Sequence, residues 1–303
     1  MIRLVTYNID GLPESVDLRE LPWPLRPITW VYKILKKTTI VPINDNGNKK
    51  EMMKQMSAML ADLHADAIAV QEDFNYHDDL FSSLPMGSHG FMGGIDIKKL
   101  FSSVSWLPYP RIKADGLCLL ASRRVKVNAM DIVRWKKSYG YFTHANDKLI
   151  KKGFRYYSVT IDRELELDIY VVHLDADFYN AESCPNVEKD VAARKSQLQQ
   201  LVQYISDKDS DNPIIILGDF NSSPNNVWDM ANIYTNFTYL ISQGYHYTID
   251  EAVPQDKDVD RLFVINNTRS HHRVKAMKSF FDKEFEGLSD HYPLIVDIDY
   301  ERV

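Results

Sequence analysis

Two short segments concentrate residues that can do chemistry. Gly218-Asp219-Phe220-Asn221 sets a carboxylate and an amide two positions apart just after an apolar run, and Ser289-Asp290-His291 sets a hydroxyl, a carboxylate and an imidazole just before another. Carboxylates and amides offer oxygen ligands to a hard cation, and an imidazole titrates near neutral pH. A cation and a base together suit the hydrolysis of phosphate esters, where charge must be offset and water activated. Further residues of these types stand at the ends of other apolar runs. Asn8 and Asp10 follow Ile2–Tyr7, Glu72 follows Ala67–Gln71, His173 and Asp175 end Ile169–Leu174, and Asp260 opens another run. Singly, each reads as a solvated cap or turn residue, which such residues commonly are. As a set they line one rim, if the strand ends converge there. A rim of Glu72, Asp219, Asp290, Asn8 and Asn221 has oxygen donors and no thiolate cage, which selects Mg²⁺, with Mn²⁺ or Ca²⁺ as alternatives. His173 and His291 occupy the same kind of position and can move protons or bind a phosphate oxygen.

The elements that must carry these residues are mostly strands. Short runs rich in Val, Ile and Tyr, bounded by Gly, Asp, Asn or Pro, span Ile2–Tyr7, Ala67–Val70, Leu117–Ala121, Tyr156–Ile161, Asp168–Leu174, Pro213–Leu217, Asp260–Ile265 and Pro293–Ile298. Helical spacing appears twice. Met52, Met53, Met56, Met59, Leu60 and Leu63 recur at three and four between Lys49 and His64, and Val191, Leu198, Leu201, Val202 and Ile205 do so between Glu188 and Ser206. The methionine stripe reads as core packing. Strand groups with helices between them suit two packed sheets with helices outside.

No composition shift marks a boundary, so residues 1–303 read as a single catalytic domain. A lid-like segment near 12–48 is inserted between the first strand and the first helix, a long connection for its place. There, Leu21-Pro22-Trp23-Pro24-Leu25 and Trp30 to Lys37 mix aromatic and aliphatic residues with lysines. It reads either as a lid folded onto the body or as an interfacial element touching lipid, since Trp and Tyr suit the headgroup region and lysines attract anionic lipids. A second loop, Leu84 to Pro110, carries Phe91, Met92, Phe101, Trp106 and Tyr109.

The formal net charge of the 303 residues is −6, which argues mildly against a nonspecific nucleic-acid binder, whose phosphate contacts need Lys and Arg. Cys118, in an apolar run, and Cys184, in a polar stretch, are too few for a disulfide framework and read as unpaired thiols. No run of about 18 apolar residues predicts a membrane span. The chain starts on a strand-like segment without a signal peptide, so the expected compartment is the cytoplasm. A secreted or periplasmic protein whose signal has been trimmed would read the same. A monomer is expected.

In these segments the chain resembles the endonuclease/exonuclease/phosphatase superfamily, which has a deoxyribonuclease-like fold. Thr6-Tyr7-Asn8-Ile9-Asp10-Gly11 matches its opening strand motif, Val70-Gln71-Glu72-Asp73 its metal-glutamate motif and Val172-His173-Leu174 its central histidine motif. Gly218-Asp219-Phe220-Asn221 and Ser289-Asp290-His291 match its two most diagnostic signatures, and all five occur in family order. The resemblance implies an α+β, four-layer α/β/β/α sandwich of two packed mixed sheets flanked by helices. It implies that Glu72 holds the metal with Asn8 and Asp10 or Asp290 nearby, and that His291 takes a proton from the attacking water. Asp260 orients that histidine, Asp219 and Asn221 position the nucleophile and the phosphate, and His173 binds a phosphate oxygen or helps the leaving group. The choice between Asp219 and His291 as base stays open at this level.

Four stretches resemble the neutral sphingomyelinase branch: Tyr170 to Phe178, the Arg194 and Gln197 pair of the helix that follows, Asp115 to Ser122, and Asn146 to Phe154. Within the last, Lys152 either approaches the substrate phosphate or is a solvated lysine. The implied substrate is a phosphodiester, lipid ahead of nucleic acid, with peripheral membrane contact. The opening motif, in contrast, is closer to the DNA-repair branches, including tyrosyl-DNA phosphodiesterases. The alternative function is therefore a nuclease or DNA-adduct phosphodiesterase.

Overall fold

The computed structural model describes residues 1–11, 49–94, 114–139, 147, 152–176, 187–223, 226–242, 245–248 and 259–303. The 12–48 segment with Trp23 and Trp30, the part of the second loop from 95 on, and Cys184 lie outside the described residues.

Among the described residues, twelve strands form two six-stranded sheets. The first sheet has the order β11 (His272–Phe281), β12 (Leu294–Arg302), β1 (Ile2–Asn8), β2 (Ala67–Gln71), β4 (Cys118–Ala121), β3 (Gly87–His89). The second runs β5 (Val125–Arg134), β6 (Gly153–Ile161), β7 (Leu165–His173), β8 (Ile214–Asp219), β10 (Asp260–Asn267), β9 (Tyr245–Thr248). Each sheet is mixed in the same way. One parallel pair, β1 with β2 or β7 with β8, sits at the centre with antiparallel strands to either side.

The faces explain the layers. Between the sheets, Ile2, Leu4, Ala67, Ala69 and Leu119 of the first meet Val159, Leu167, Ile215, Leu217 and Val264 of the second in one buried cluster. The alternate positions point outward and are also apolar, so each sheet needs a second cover. Tyr7, Val70, Cys118 and Leu120 pack against Met53, Met56 and Leu60 of α1 (Lys49–Asp62) and Leu80 of α2 (His77–Phe81). Tyr170, Val172, Ile214, Ile216 and Phe263 pack against Leu198, Leu201 and Ile205 of α3 (Val187–Lys208) and Ile233, Phe237 and Leu240 of α4 (Val227–Ser242). The result is the four-layer α/β/β/α sandwich expected from sequence, and the methionine stripe is core packing.

Helix α4 is missing from the sequence reading. Ile233, Phe237 and Leu240 do recur at helical spacing, but Asn, Thr and Tyr between them have weak helix propensity. Its start is fixed by Asn226, whose side-chain oxygen accepts from the Trp228 and Asp229 backbone N–H groups at 3.2 Å each.

Registry brings the chemistry to one edge. Asn8 pairs with Gln71 across β1 and β2, so Glu72 leaves β2 beside Asn8. His173 pairs with Asp219, and Asp219 with Asp260. Strand β12 runs antiparallel to β1, so the residues preceding it, His291 among them, return to the same rim.

Candidate active site

Two glycines allow the strand ends to close up. A side chain at Gly218 would bring its Cβ to 2.0 Å from the Val172 carbonyl oxygen, and one at Gly11 to 2.4 Å from the Glu72 carbonyl oxygen. Only a residue without a Cβ fits either approach. Asp10, Glu72 and Asn221 adopt positive φ, at 46°, 60° and 47°. Asp and Asn tolerate that region, while for Glu72 it is uncommon, costing on the order of 1–3 kcal/mol that the surrounding contacts must offset.

At the centre, Asn8 bridges the two sheets. Its amide nitrogen donates to Glu72 Oε1 at 3.2 Å and to Asp219 Oδ2 at 3.1 Å, while its oxygen accepts from the Asp10 N–H at 3.1 Å. To offer that oxygen to an ion the amide would have to turn over. Asp219 is buried. Its Oδ1 accepts from the Asn221 N–H at 2.8 Å and its Oδ2 from Asn221 Nδ2 at 3.1 Å. Burial alone would raise its pKa, yet His173, His291 and Lys152 hold it well below the usual carboxylate range, so Asp219 is ionised. An ionised, hydrogen-bonded carboxylate of that kind is a poor general base and a good positioner.

His291 has the geometry of a base. Its Nδ1 lies 2.6 Å from Asp260 Oδ2, and the backbone N–H of His291 donates to Ser289 Oγ at 3.2 Å. Ser289 Oγ in turn donates to the Asn8 carbonyl at 2.8 Å, tying this turn to β1. With Nδ1–H held by Asp260, the neutral ring presents Nε2 as the proton acceptor. Burial opposes the imidazolium, but Asp260, Asp219 and Asp290 outweigh it and raise the His291 pKa well above its ordinary value.

His173 is almost fully buried, with Nε2 3.3 Å from Asp219 Oδ2 and 3.9 Å from Glu72 Oε1. Neither ring nitrogen has an aligned hydrogen-bond partner among the described residues. Trp135 Nε1 donates to the His173 carbonyl at 2.8 Å and fixes its backbone. Lys152 is buried rather than solvated. Its Nζ sits 2.8 Å from Asp147 Oδ1 and 3.3 Å from the Leu174 carbonyl. Desolvation works against its charge, but Asp147, Glu72 and Asp219 raise its pKa, so a cation stands behind the site.

Glu72, Asp10 and Asp290 form the acidic mouth, with side chains 19%, 19% and 76% exposed. Desolvation raises the Asp10 pKa to about 6; Lys49 works against that, and Glu72 and Asp290 with it. Hard oxygen donors in an exposed acidic mouth fit Mg²⁺, Mn²⁺ or Ca²⁺. The expected site residues other than Lys152, which stands behind it, lie along this rim, with Asp290 the most peripheral.

Several contributing residues escape sequence reasoning. Arg194 on α3 is fully buried, bonds both carboxylate oxygens of Asp229 at 3.1 and 2.8 Å, and donates to the Ala176 carbonyl at 3.0 Å. Gln197 accepts from the Asp175 N–H at 3.0 Å and donates to the Lys137 carbonyl at 2.8 Å. Together they clamp the segment after His173 to α4 and to residue 137. The Arg194 and Gln197 pair is visible as a pattern, but not what it holds. Lys49 Nζ donates to the Asp10 carbonyl at 2.7 Å and to Asp10 Oδ2 at 3.1 Å, and nothing in the sequence marks it.

Behind Glu72, Asp73, His77 and Cys118 gather three potential donors. His77 Nδ1 lies 2.6 Å from Asp73 Oδ2, and Cys118 Sγ donates to the same oxygen at 3.1 Å. Donors around a tetrahedral zinc stand about 3.3 Å apart, given bonds of about 2.0 Å. As it stands, this is a hydrogen-bonded brace for the Glu72 turn. Cys118 is an unpaired, buried thiol whose pKa is pushed well up by burial and by Asp73.

Comparison with known proteins agrees with this fold. The profile of the Endonuclease/Exonuclease/phosphatase family matches residues 5–252. No curated protein sequence matches the chain. Among solved structures, a double mutant of beta toxin from Staphylococcus aureus with bound magnesium ions is 13% identical, with a TM-score of 0.60, covering 97% of this chain and 98% of that one. Sphingomyelinase C from Streptomyces griseocarneus is 14% identical at a TM-score of 0.58, over 97% and 98% of the two chains. D. rerio TDP2 complexed with single strand DNA product is 15% identical at 0.58, over 98% of each. At these identities the likeness is one of fold.

Proposed function

The chain belongs to the endonuclease/exonuclease/phosphatase family, and on that premise we propose that it is a Mg²⁺-dependent phosphodiesterase of the phospholipase C type, acting on a sphingomyelin-like lipid. Glu72 would hold the cation, with Asp290 and a turned Asn8 amide as further oxygen donors. When bound, the cation supplies charge neutralisation at the phosphate and brings the carboxylate-rich mouth closer to neutrality. With a bound cation offsetting the carboxylates that otherwise hold the ring protonated, neutral His291 would take the proton of the attacking water at Nε2, and Asp260 would hold the ring and stabilise the imidazolium that forms. Asp219 and Asn221 orient the nucleophile. His173, whose Nε2 stands 3.3 Å from Asp219 Oδ2 without an aligned hydrogen bond, meets a phosphate oxygen or the leaving group, and the buried Lys152 charge favours an anion at that point.

The observation that carries the lipid reading is an exposed apolar pair on the helix that follows Asn221. Val227 and Trp228 are 70% and 73% exposed at the start of α4. The next residue, Asp229, is held by the same Arg194 that binds the Ala176 carbonyl, three residues beyond His173. A tryptophan exposed on a helix braced to the segment after His173, on a chain of net charge −6, suits a bilayer headgroup region better than a polyanion. The second reading, cleavage of a nucleic-acid phosphodiester, is favoured by the Thr6-Tyr7-Asn8-Ile9-Asp10-Gly11 motif and by the fold likeness to TDP2.

The test is a substrate panel in Mg²⁺ and in chelator, with wild type and Glu72→Ala: sphingomyelin vesicles, lysophospholipids, abasic DNA, plasmid DNA and inositol phosphates. Release of phosphocholine by wild type only is expected. Turnover of DNA with none of any phosphodiester lipid would replace the first reading by the second.

A further inference from the structure

We propose that Lys49 is a resident cation that withdraws Asp10 from the metal and limits this site to one divalent ion. The inference rests on the reading of Glu72 as metal ligand. Lys49 opens α1, yet its side chain is 5% exposed and its ammonium lies against Asp10. The start of a helix is the positive end of its dipole, where cations are disfavoured and acids are the usual residues. A buried lysine there is stable only if it is paired. The pairing is with both oxygen types of Asp10: the carbonyl at 2.7 Å and Oδ2 at 3.1 Å.

The consequence is electrostatic and geometric. Asp10, Glu72 and Asp290 would otherwise form a three-carboxylate mouth, enough charge to draw two divalent ions. A second ion bound through Asp10 Oδ2 would stand about 2.1 Å from that oxygen, and so within a few ångströms of an ammonium already 3.1 Å from it. Two cations at that separation repel strongly in a partly buried setting. Asp10 is thus a partner of Lys49, not a ligand, and Lys49 is a positioning residue that acts through Asp10.

Counting Mn²⁺ bound per chain tests this, by loss of the free-ion paramagnetic resonance signal and by calorimetry. Wild type is expected to bind one ion, Lys49→Arg one ion, and Lys49→Met a second ion as Asp10 is released. Asp10→Asn, its fold checked by circular dichroism, is expected to change the affinity of the first ion less than threefold. Two ions on wild type, one ion with unchanged affinity on a folded Lys49→Met, or a more than tenfold weakening by Asp10→Asn would each overturn the assignment. Glu72→Ala separates the two readings. It should abolish the first ion; if wild type binds no ion at all, or if Glu72→Ala leaves the count unchanged, the metal reading falls and this inference with it.

Discussion

Asp260 and His291 meet at 2.6 Å although one opens a strand of the second sheet and the other precedes a strand of the first. The pair crosses the sandwich at its rim, so its geometry depends on both sheets being packed. Replacing Asp260 by Asn should leave the fold intact and lower kcat on the order of 10²–10⁴-fold, the usual worth of a positioned base. His291→Ala should fall at least as far, and the double variant little further, because the two act as one unit. Steady-state kinetics with circular dichroism on each variant measure this; a fully active His291→Ala would end the role given to it.

Cation binding should also show in stability. An ion that binds only the folded chain adds about 2.7 kcal/mol at 100 times its Kd. Thermal unfolding with and without Mg²⁺ should therefore differ for wild type and coincide for Glu72→Ala.

The clamp behind the site carries a buried charge pair. Arg194→Met leaves the buried Asp229 carboxylate with Asn226 Nδ2, at 2.8 Å, as its remaining side-chain donor among the described residues. Breaking such a pair costs about 3–5 kcal/mol. Urea unfolding should show that loss for Arg194→Met and a smaller one when Asp229 is replaced by Asn in the same chain.

Asp175 gives a pH signature. Desolvation, with Asp147 nearby, raises its folded pKa to about 7, against an unfolded value of 3.8. Between those values the folded chain binds more protons than the unfolded one, so this group's contribution to stability falls as pH rises, by at most about 1.4 kcal/mol per pH unit. Relative to Asp175→Asn, wild type should lose stability from about pH 4 to pH 7 and run parallel above that. A wild-type curve parallel to the variant throughout would show that Asp175 titrates normally.

Trp228→Ala should separate surface from chemistry. At 73% exposure its removal should change stability by less than about 0.5 kcal/mol. Turnover of vesicles should drop several-fold while a soluble phosphodiester is cleaved as before. Equal loss on both substrates would move Trp228 from the lipid-facing surface into the site itself.

The eight strands legible in the sequence are the eight inner strands of the two sheets: β1, β2, β4, β6, β7, β8, β10 and β12. The four it does not reveal, β3, β5, β9 and β11, are the four edges. The reason is burial. An inner strand such as Ile214–Asp219 is covered throughout and reads as one apolar run. An edge strand such as Val125–Arg134 or His272–Phe281 exposes Lys126 and Asn128, or Lys275 and Lys278, on its open side, which guards the edge and hides its periodicity. The site divides along the same line. Asn8, Glu72, His173, Asp219, Asp260 and His291 were legible because each ends or begins an inner strand with a residue type that the chemistry needs. Lys49, the partner that Arg194 holds and the burial of Lys152 were not, because a lysine or an arginine in a polar stretch looks the same whether it faces water or a carboxylate. The order of residues along the chain determined which side chains could react. Only the packing of the sheets and helices decided which charges would be shut away beside them, because desolvation and pairing are properties of neighbours distant in sequence.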